Sequence, residues 1–252
     1  MQASTASTTF IWRRVHSLMG FWLVIYLFYH LLVNSQAALW ISDDGSTFIR
    51  MVNTLESLPY LHVVESLLIG VPLAVHFVWG VKRALTAKTN VSTLKYERNW
   101  AYSIQRWTSW ILVFGIAGHV LQMRFLEQPK TAEGISSVIV AMDDQLLPLA
   151  QKIGATLTPM EDGQVLASTP TPGGAYLLMV RNTFKSPLMV ASYCLFVLAA
   201  AFHAFNGFWT FLITWGVILS YRSQKALIPF CMLGALLLVF FGFAAIWGSY
   251  AN

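Results

Sequence analysis

Leu195–Gly216 reads LFVLAAAFHAFNGFWTFLITWG and carries no charged side chain over 22 residues. As α-helix it would extend about 33 Å, enough to cross a hydrocarbon core about 30 Å thick. His203 stands near its middle. A histidine in hydrocarbon loses its hydrogen bonds to water, so polar groups in such segments face a partner, a cavity or a functional site.

The rest of the chain has the same character. Of its 252 residues 56% are hydrophobic and 11% charged, whereas soluble domains carry about 25% charged residues. Five apolar runs are long enough to span a bilayer: 15–38, 60–81, 103–124, 188–219 and 226–248. Helices satisfy their own backbone polar groups, so the expected fold is an all-α integral membrane bundle of five transmembrane helices. The segment 1–14 reads as a polar N-terminal tail, its QASTASTT stretch as disordered, and 125–187 as the long loop on the opposite side. Within that loop ISSVIVAMDDQLLPLAQKI is weakly amphipathic and suggests a helix lying at the membrane boundary. The first run is too long for the apolar core of a secretory signal, and cleavage after it would discard His30. Cys194 and Cys231 stand singly and read as packing residues.

The cations divide unevenly between the two faces. Arg13, Arg14, Lys82, Arg83, Lys88, Lys95, Arg98, Arg106, Arg222 and Lys225 fall on one side, with Glu97 as its only acid. The other side has more loop and only six cations. The positive-inside rule puts the N-terminus in the cytoplasm and the C-terminus outside. The net charge of +5 is spread over short juxtamembrane loops with no basic aromatic stripe, which speaks for topology and anionic lipid rather than nucleic acid.

Six histidines are present, and His30, His76, His119 and His203 lie well inside four different runs. His30 follows Arg14 by 16 residues and His119 follows Arg106 by 13, placing them about 24 Å and 20 Å from the cytoplasmic ends of their helices. His76 precedes Lys82 by six residues, about 9 Å from that side. His203 is ambiguous in depth and is assigned inward because His76 otherwise has no mate. Two pairs at two levels suit two b-type haems, each held by two axial imidazoles, a saturated coordination that favours electron transfer. Gly80 and Gly207 lie one turn from His76 and His203, and Gly115 and Gly118 flank His119; small residues there leave room for a flat ring. The same glycines also serve plain helix packing. A zinc site would need one tetrahedral cluster, and a proton-relay transporter would need buried carboxylate chains; neither matches two levels of histidine.

A rival pairing uses the other two histidines. His16 and His30 are 14 residues apart, as are His62 and His76, within about 40° of four full turns. Two helices with two ligands each resemble the quinol-oxidising cytochrome b of bc-type complexes, with haems on His16/His76 and His30/His62. The first pairing is preferred, because His16 adjoins Arg13 and Arg14, His62 closely follows Pro59, and the rival leaves His119 and His203 unexplained.

The stretches RRVHSLMG, YHLLVN, PLAVHFVWG, RNWAYSIQRWTSW, GHVLQMR, FHAFNGFWTFLITWG and RSQ, in that order, resemble the single five-helix di-haem cytochrome b membrane anchor of succinate:quinone oxidoreductases. The resemblance extends over nearly all the chain outside 125–187. It implies a subunit of a bacterial cytoplasmic membrane, without catalytic activity alone, that holds a flavoprotein and an iron–sulfur protein on its cytoplasmic face. Electrons would pass to a quinone, menaquinone being usual for this type, or in reverse for fumarate reduction. It also implies His30 with His119 at an outer haem and His76 with His203 at an inner one. Arg13, Arg14, Arg106 and Arg222 then become candidate partners for haem propionates or for the docked subunits, beside their topological role.

The quinone site is read from one acid. Glu65 is the only carboxylate inside an expected span and precedes His76 by 11 residues, three turns plus about 20° on an ideal helix and roughly 16 Å further out. That suits a proton carrier for a quinone near the outer haem; a carboxylate at the headgroups is the other reading. His16, Ser17 and Gln105 mark the alternative quinone position on the inner side.

Overall fold

The computed structural model describes residues 2–38, 45–88 and 91–251. Five helices are long and apolar enough to cross a membrane: Thr8–Ser35, Leu61–Thr86, Glu97–Leu126, Pro187–Thr214 and Tyr221–Tyr250. In the first three spans few residues are covered by protein, so their apolar side chains are left for lipid. The protein is a multi-pass membrane protein of helical architecture.

The first helix, α1 (Gln2–Ser35), runs through the polar tail that the sequence suggested was disordered. Extending an existing helix adds a hydrogen bond per residue without a new nucleation cost, so the apolar segment carries the Ser/Thr-rich stretch with it. After α2 (Ser46–Glu56), the second span is built of α3 (Leu61–Glu65), a π-helical turn (Ser66–Gly70) and α4 (Val71–Thr86). The third joins α5 (Glu97–Val120) to a second π-helical turn (Leu121–Leu126). A π-turn holds more residues per turn than an α-helix and rotates everything beyond it. The first one lies between Glu65 and His76, so the angle calculated for that pair on an ideal helix does not apply.

The chain forms two compact units. One comprises 1–29, 62–114 and 196–239; the other comprises 30–61, 115–195 and 240–252. In the first unit, the indole N–H of Trp22 donates to the Leu68 carbonyl in the π-turn at 2.6 Å, which satisfies a backbone acceptor inside an apolar span. Phe21 stacks on Phe211, ring centres 4.6 Å apart. At Gly234 a Cβ would overlap the Phe205 ring, so that glycine is required for the close approach.

The second unit contains what the helical reading of 125–187 missed. Strands β1 (Lys130–Ala132), β2 (Ile135–Ala141), β3 (Thr156–Pro159) and β4 (Gln164–Thr169) form an antiparallel sheet in the order β1-β2-β4-β3. The expected amphipathic helix over ISSVIVAMDDQLLPLAQKI is instead β2 followed by α6 (Leu146–Ile153). Ser136, Val138 and Val140 alternate inward, a period of two in a β-branched run, and that pattern outweighs the helical one. Glu133 and Gly134, both at positive φ, make the tight β1–β2 turn, a conformation that suits right-twisted strands. Helix α7 (Pro172–Thr183) packs against the sheet and against α2. Its Gly173 backs onto Ile49, whose carbonyl would lie 2.5 Å from a Cβ there. The remaining spans are α8 (Pro187–Thr214) and α9 (Tyr221–Tyr250).

Candidate haem-ligating histidines

Each expected pair lies inside one unit. In the second unit, α1 and α5 bring His30 and His119 together with ring centres 5.9 Å apart and planes at 82°. In the first, α4 and α8 bring His76 and His203 to 6.1 Å, also at 82°. An imidazole nitrogen sits about 2 Å from a metal it ligates, so rings on opposite faces of one iron have centres roughly 6 Å apart once half of each ring is added. A T-shaped aromatic contact falls in the same range. The hydrogen bonding of Nδ1 bears on which ring nitrogen is left for a metal.

His76 Nδ1 lies 3.2 Å from the His16 carbonyl, an acceptor, so Nδ1 carries the proton. His119 Nδ1 is 3.2 Å from the Tyr193 hydroxyl. His203 Nδ1 faces Thr108 Oγ1 at 3.5 Å, whose own proton goes to the Ile104 or Gln105 carbonyl. Protonated, outward-bonded Nδ1 atoms leave the Nε2 lone pairs for a metal, the usual way a second partner orients a ligating histidine. The residues therefore fit axial ligation of haem iron. Among the described residues no three His, Cys, Asp or Glu side chains gather to hold a metal ion, as a structural zinc would require.

The rival pairing meets a different geometry. His16 stacks face to face on His76, centres 4.1 Å apart and planes 10° from parallel. The lone pairs of an imidazole lie in its ring plane, so rings stacked in this way do not converge on one metal. His62, with a side chain 77% exposed, lies 3.7 Å from Glu65 across one turn.

The glycine expectation needs one addition. A Cβ on Gly80 would make an ordinary contact with His16 at 3.5 Å, one on Gly207 would meet Gln105 at 3.6 Å, and one on Gly118 would meet nothing within 4 Å. The tight position is Gly20, where a Cβ would lie 2.8 Å from His76 Cε1 and 3.0 Å from its Nδ1. Sequence reasoning looked for glycines one turn from a ligand on the same helix. Gly20 acts across helices, and only the HxxxG spacing of His16 and Gly20 in RRVHSLMG could have pointed to it.

Gln105 donates to the His203 carbonyl at 3.1 Å and accepts from Asn206 at 2.8 Å, which makes it a brace between α5 and α8. Among the described residues the buried His16 Nδ1 has no hydrogen-bond partner, and neither do Ser103 Oγ and Arg106 Nε. Ser17 is half-buried. Arg106 donates through its other nitrogen to the Ala84 carbonyl at 2.8 Å. The Arg14 guanidinium lies over the Phe10 and Trp215 rings at 4.9 Å from each, while Arg13 and Arg222 are exposed.

Comparison with known proteins gives a consistent picture. The chain is 31% identical over 217 residues to the succinate dehydrogenase cytochrome b558 subunit of Bacillus subtilis (strain 168), a match covering 86% of this chain and 85% of that protein. No family model matches. No solved structure matches either. With five membrane-spanning helices and a match that covers most of both proteins, the chain belongs to the family of succinate dehydrogenase cytochrome b558 subunits.

Proposed function

We propose that the chain anchors a succinate:quinone oxidoreductase in a bacterial cytoplasmic membrane and holds two b haems, one between His30 and His119 and one between His76 and His203. The observation that carries this reading is the repeated geometry of the two pairs, near 6 Å and 82° in both. Bound there, the haems supply one-electron carriage between a docked iron–sulfur protein and a quinone of the menaquinone type.

The chain's own residues do the holding. The His16 carbonyl, the Tyr193 hydroxyl and Thr108 Oγ1 fix the tautomers of His76, His119 and His203. Gln105 ties the backbone at His203 to α5. Arg106, half-buried and with its buried Nε unpartnered among the described residues, is suited to an anionic group such as a haem propionate. The cation-rich face is cytoplasmic and receives the flavoprotein and iron–sulfur subunits, with Arg13 and Arg222 exposed on it.

Purification through a C-terminal tag in mild detergent tests the assignment. A flavoprotein and an iron–sulfur protein should co-purify, and succinate should reduce the haem of the isolated complex. Recovery of a Rieske protein instead would favour the bc-type reading.

Gly20→Ala is expected to displace the His76 ring and to lower the haem content selectively at the inner site. The absorbance change on reduction should fall toward half that of the parent. An unchanged haem content would mean that the α1–α4 contact relaxes without moving the ligand.

Glu65 is proposed as a proton carrier for the quinone. It is half-buried in its span, next to the π-turn, a helical irregularity common at functional sites. Glu65→Gln should preserve both haems and dye-linked succinate oxidation while slowing quinone reduction at least tenfold, the low end of what a positioned proton donor contributes, about 10²–10⁴. Unchanged quinone turnover would move the site to the inner side, near His16, Ser17 and Gln105.

A further inference from the structure

Beyond the ligands themselves, a line of side chains in the second unit leads from His119 to a carboxylate outside the span. His119 Nδ1 lies 3.2 Å from the Tyr193 hydroxyl. Tyr193 lies 3.3 Å from Gln122 Oε1. The Gln122 amide nitrogen is 2.9 Å from Glu127 Oε1. Thr183 donates to the other Glu127 oxygen at 3.0 Å.

The hydrogens in this line have one consistent arrangement. An ionised Glu127 only accepts, so Gln122 must turn its NH₂ toward it and its carbonyl toward Tyr193. Tyr193 then has to donate to that carbonyl, which leaves its oxygen as an acceptor for His119. His119 must therefore carry its proton on Nδ1. With the opposite amide orientation, two acceptor oxygens would face each other at 2.9 Å. The second π-turn (Leu121–Leu126) holds Gln122, and Glu127 is the residue that closes it, its N–H donating to the Gln122 carbonyl at 2.8 Å. The Tyr193 ring is fixed edge-on against Phe184 at 5.2 Å. Tyr193 and Gln122 join the ligand to the carboxylate.

We propose that Tyr193, Gln122 and Glu127 form a directional hydrogen-bond chain that sets the tautomer of His119 and lowers the reduction potential of the haem it ligates. A histidine that donates toward a carboxylate becomes a more electron-rich ligand, which favours the ferric over the ferrous state. Donors aligned along the chain polarise one another, so the charge on Glu127 is felt at the imidazole. Tyr193 is thus a positioning residue, acting through His119. The inference rests on the assignment of His119 as a haem ligand.

Redox titration of the whole membrane-bound complex, followed by optical and low-temperature EPR spectra, tests it. Tyr193→Phe keeps the ring against Phe184 and removes only the hydroxyl. The outer haem should remain, with its midpoint raised and its low-spin EPR signal altered, while the inner haem keeps both. Glu127→Gln leaves the Tyr193–His119 contact in place and should raise the same midpoint by a smaller amount. It also serves as the test if Tyr193→Phe fails to assemble. A retained outer haem whose midpoint is unmoved in Glu127→Gln overturns the proposal, as does an equal shift of both haems. His119→Ala separates the two levels of the argument. If it removes one haem and the potentials in the other variants do not move, the chain has no electronic role although the ligand assignment stands. If it removes neither haem, the assignment itself is wrong.

Discussion

His30→Ala or His119→Ala should each abolish the outer haem and leave the inner one, and His76→Ala or His203→Ala should do the converse. On the proposed assignment each ring would supply one of the two axial bonds, and alanine offers no donor in its place. The low-spin spectrum of the affected haem should disappear altogether, because a single remaining imidazole leaves the iron five-coordinate and open. His62→Ala should leave both haems in place, since His62 lies on an exposed face. His16→Ala should also retain both haems, with a disturbance confined to the inner one, because the stacked ring is lost while the His16 carbonyl that fixes His76 remains. Loss of a haem on changing His62, with His119 tolerant, would instead establish the bc-type pairing.

Asp143→Ala should destabilise the extramembrane part of the second unit more than any other single surface-side change. Arg181 is 3% exposed and forms a two-bond pair with Asp143, 2.8 Å from Nη1 and 2.7 Å from Nη2. Removing the carboxylate takes both of these bonds from a buried guanidinium, and breaking a buried pair costs about 3 kcal/mol. Replacing Arg181 by methionine in the same background should recover part of this, because the buried charge is then gone. Limited proteolysis of 130–183 and thermal unfolding in detergent would measure both; equal stability of Asp143→Ala and the parent would mean that water reaches Arg181.

The pair also makes this region acid-sensitive. Burial pushes the Asp143 carboxyl up, but the bonds donated by Arg181 and the Gln145 N–H, with the charges of Arg181 and Lys185, outweigh it and hold the pKa below the ordinary value. Lys185 adds little, since burial and the neighbouring Arg181 depress its own pKa despite Asp143 at 3.9 Å. For a carboxylate lower in the folded than in the unfolded state, the stabilisation is complete above the ordinary carboxylate range, about pH 4, and is lost as pH falls through the folded value.

Much of this architecture was legible in the sequence because it depends on period and polarity. Long apolar runs marked the five spans, and depth gave the levels of His30, His76 and His119, while His203 was paired with His76 by elimination. The features that escaped depend on local backbone geometry or on contacts across helices. Neither π-turn has a compositional signature, so the face occupied by Glu65 was extrapolated with an ideal rise and twist that the chain does not follow. The sheet was hidden because only MDDQ, with no glycine or proline, separates ISSVIVA from LLPLAQKI, and the whole read as one amphipathic segment. Gly20 and Tyr193 were invisible for another reason: each matters only for what it meets on another helix, His76 and His119 respectively.

The central claim, two iron centres each held by two nearly perpendicular imidazoles, is tested most directly by EPR of the oxidised complex with its haem content measured per chain. Perpendicular axial rings leave the iron dπ orbitals nearly degenerate, and the ferric signal becomes highly anisotropic. Planes at 82° in both pairs predict two such low-spin signals and two haems per chain. One haem per chain, a high-spin ferric signal, or two ordinary rhombic spectra of parallel imidazoles would contradict it.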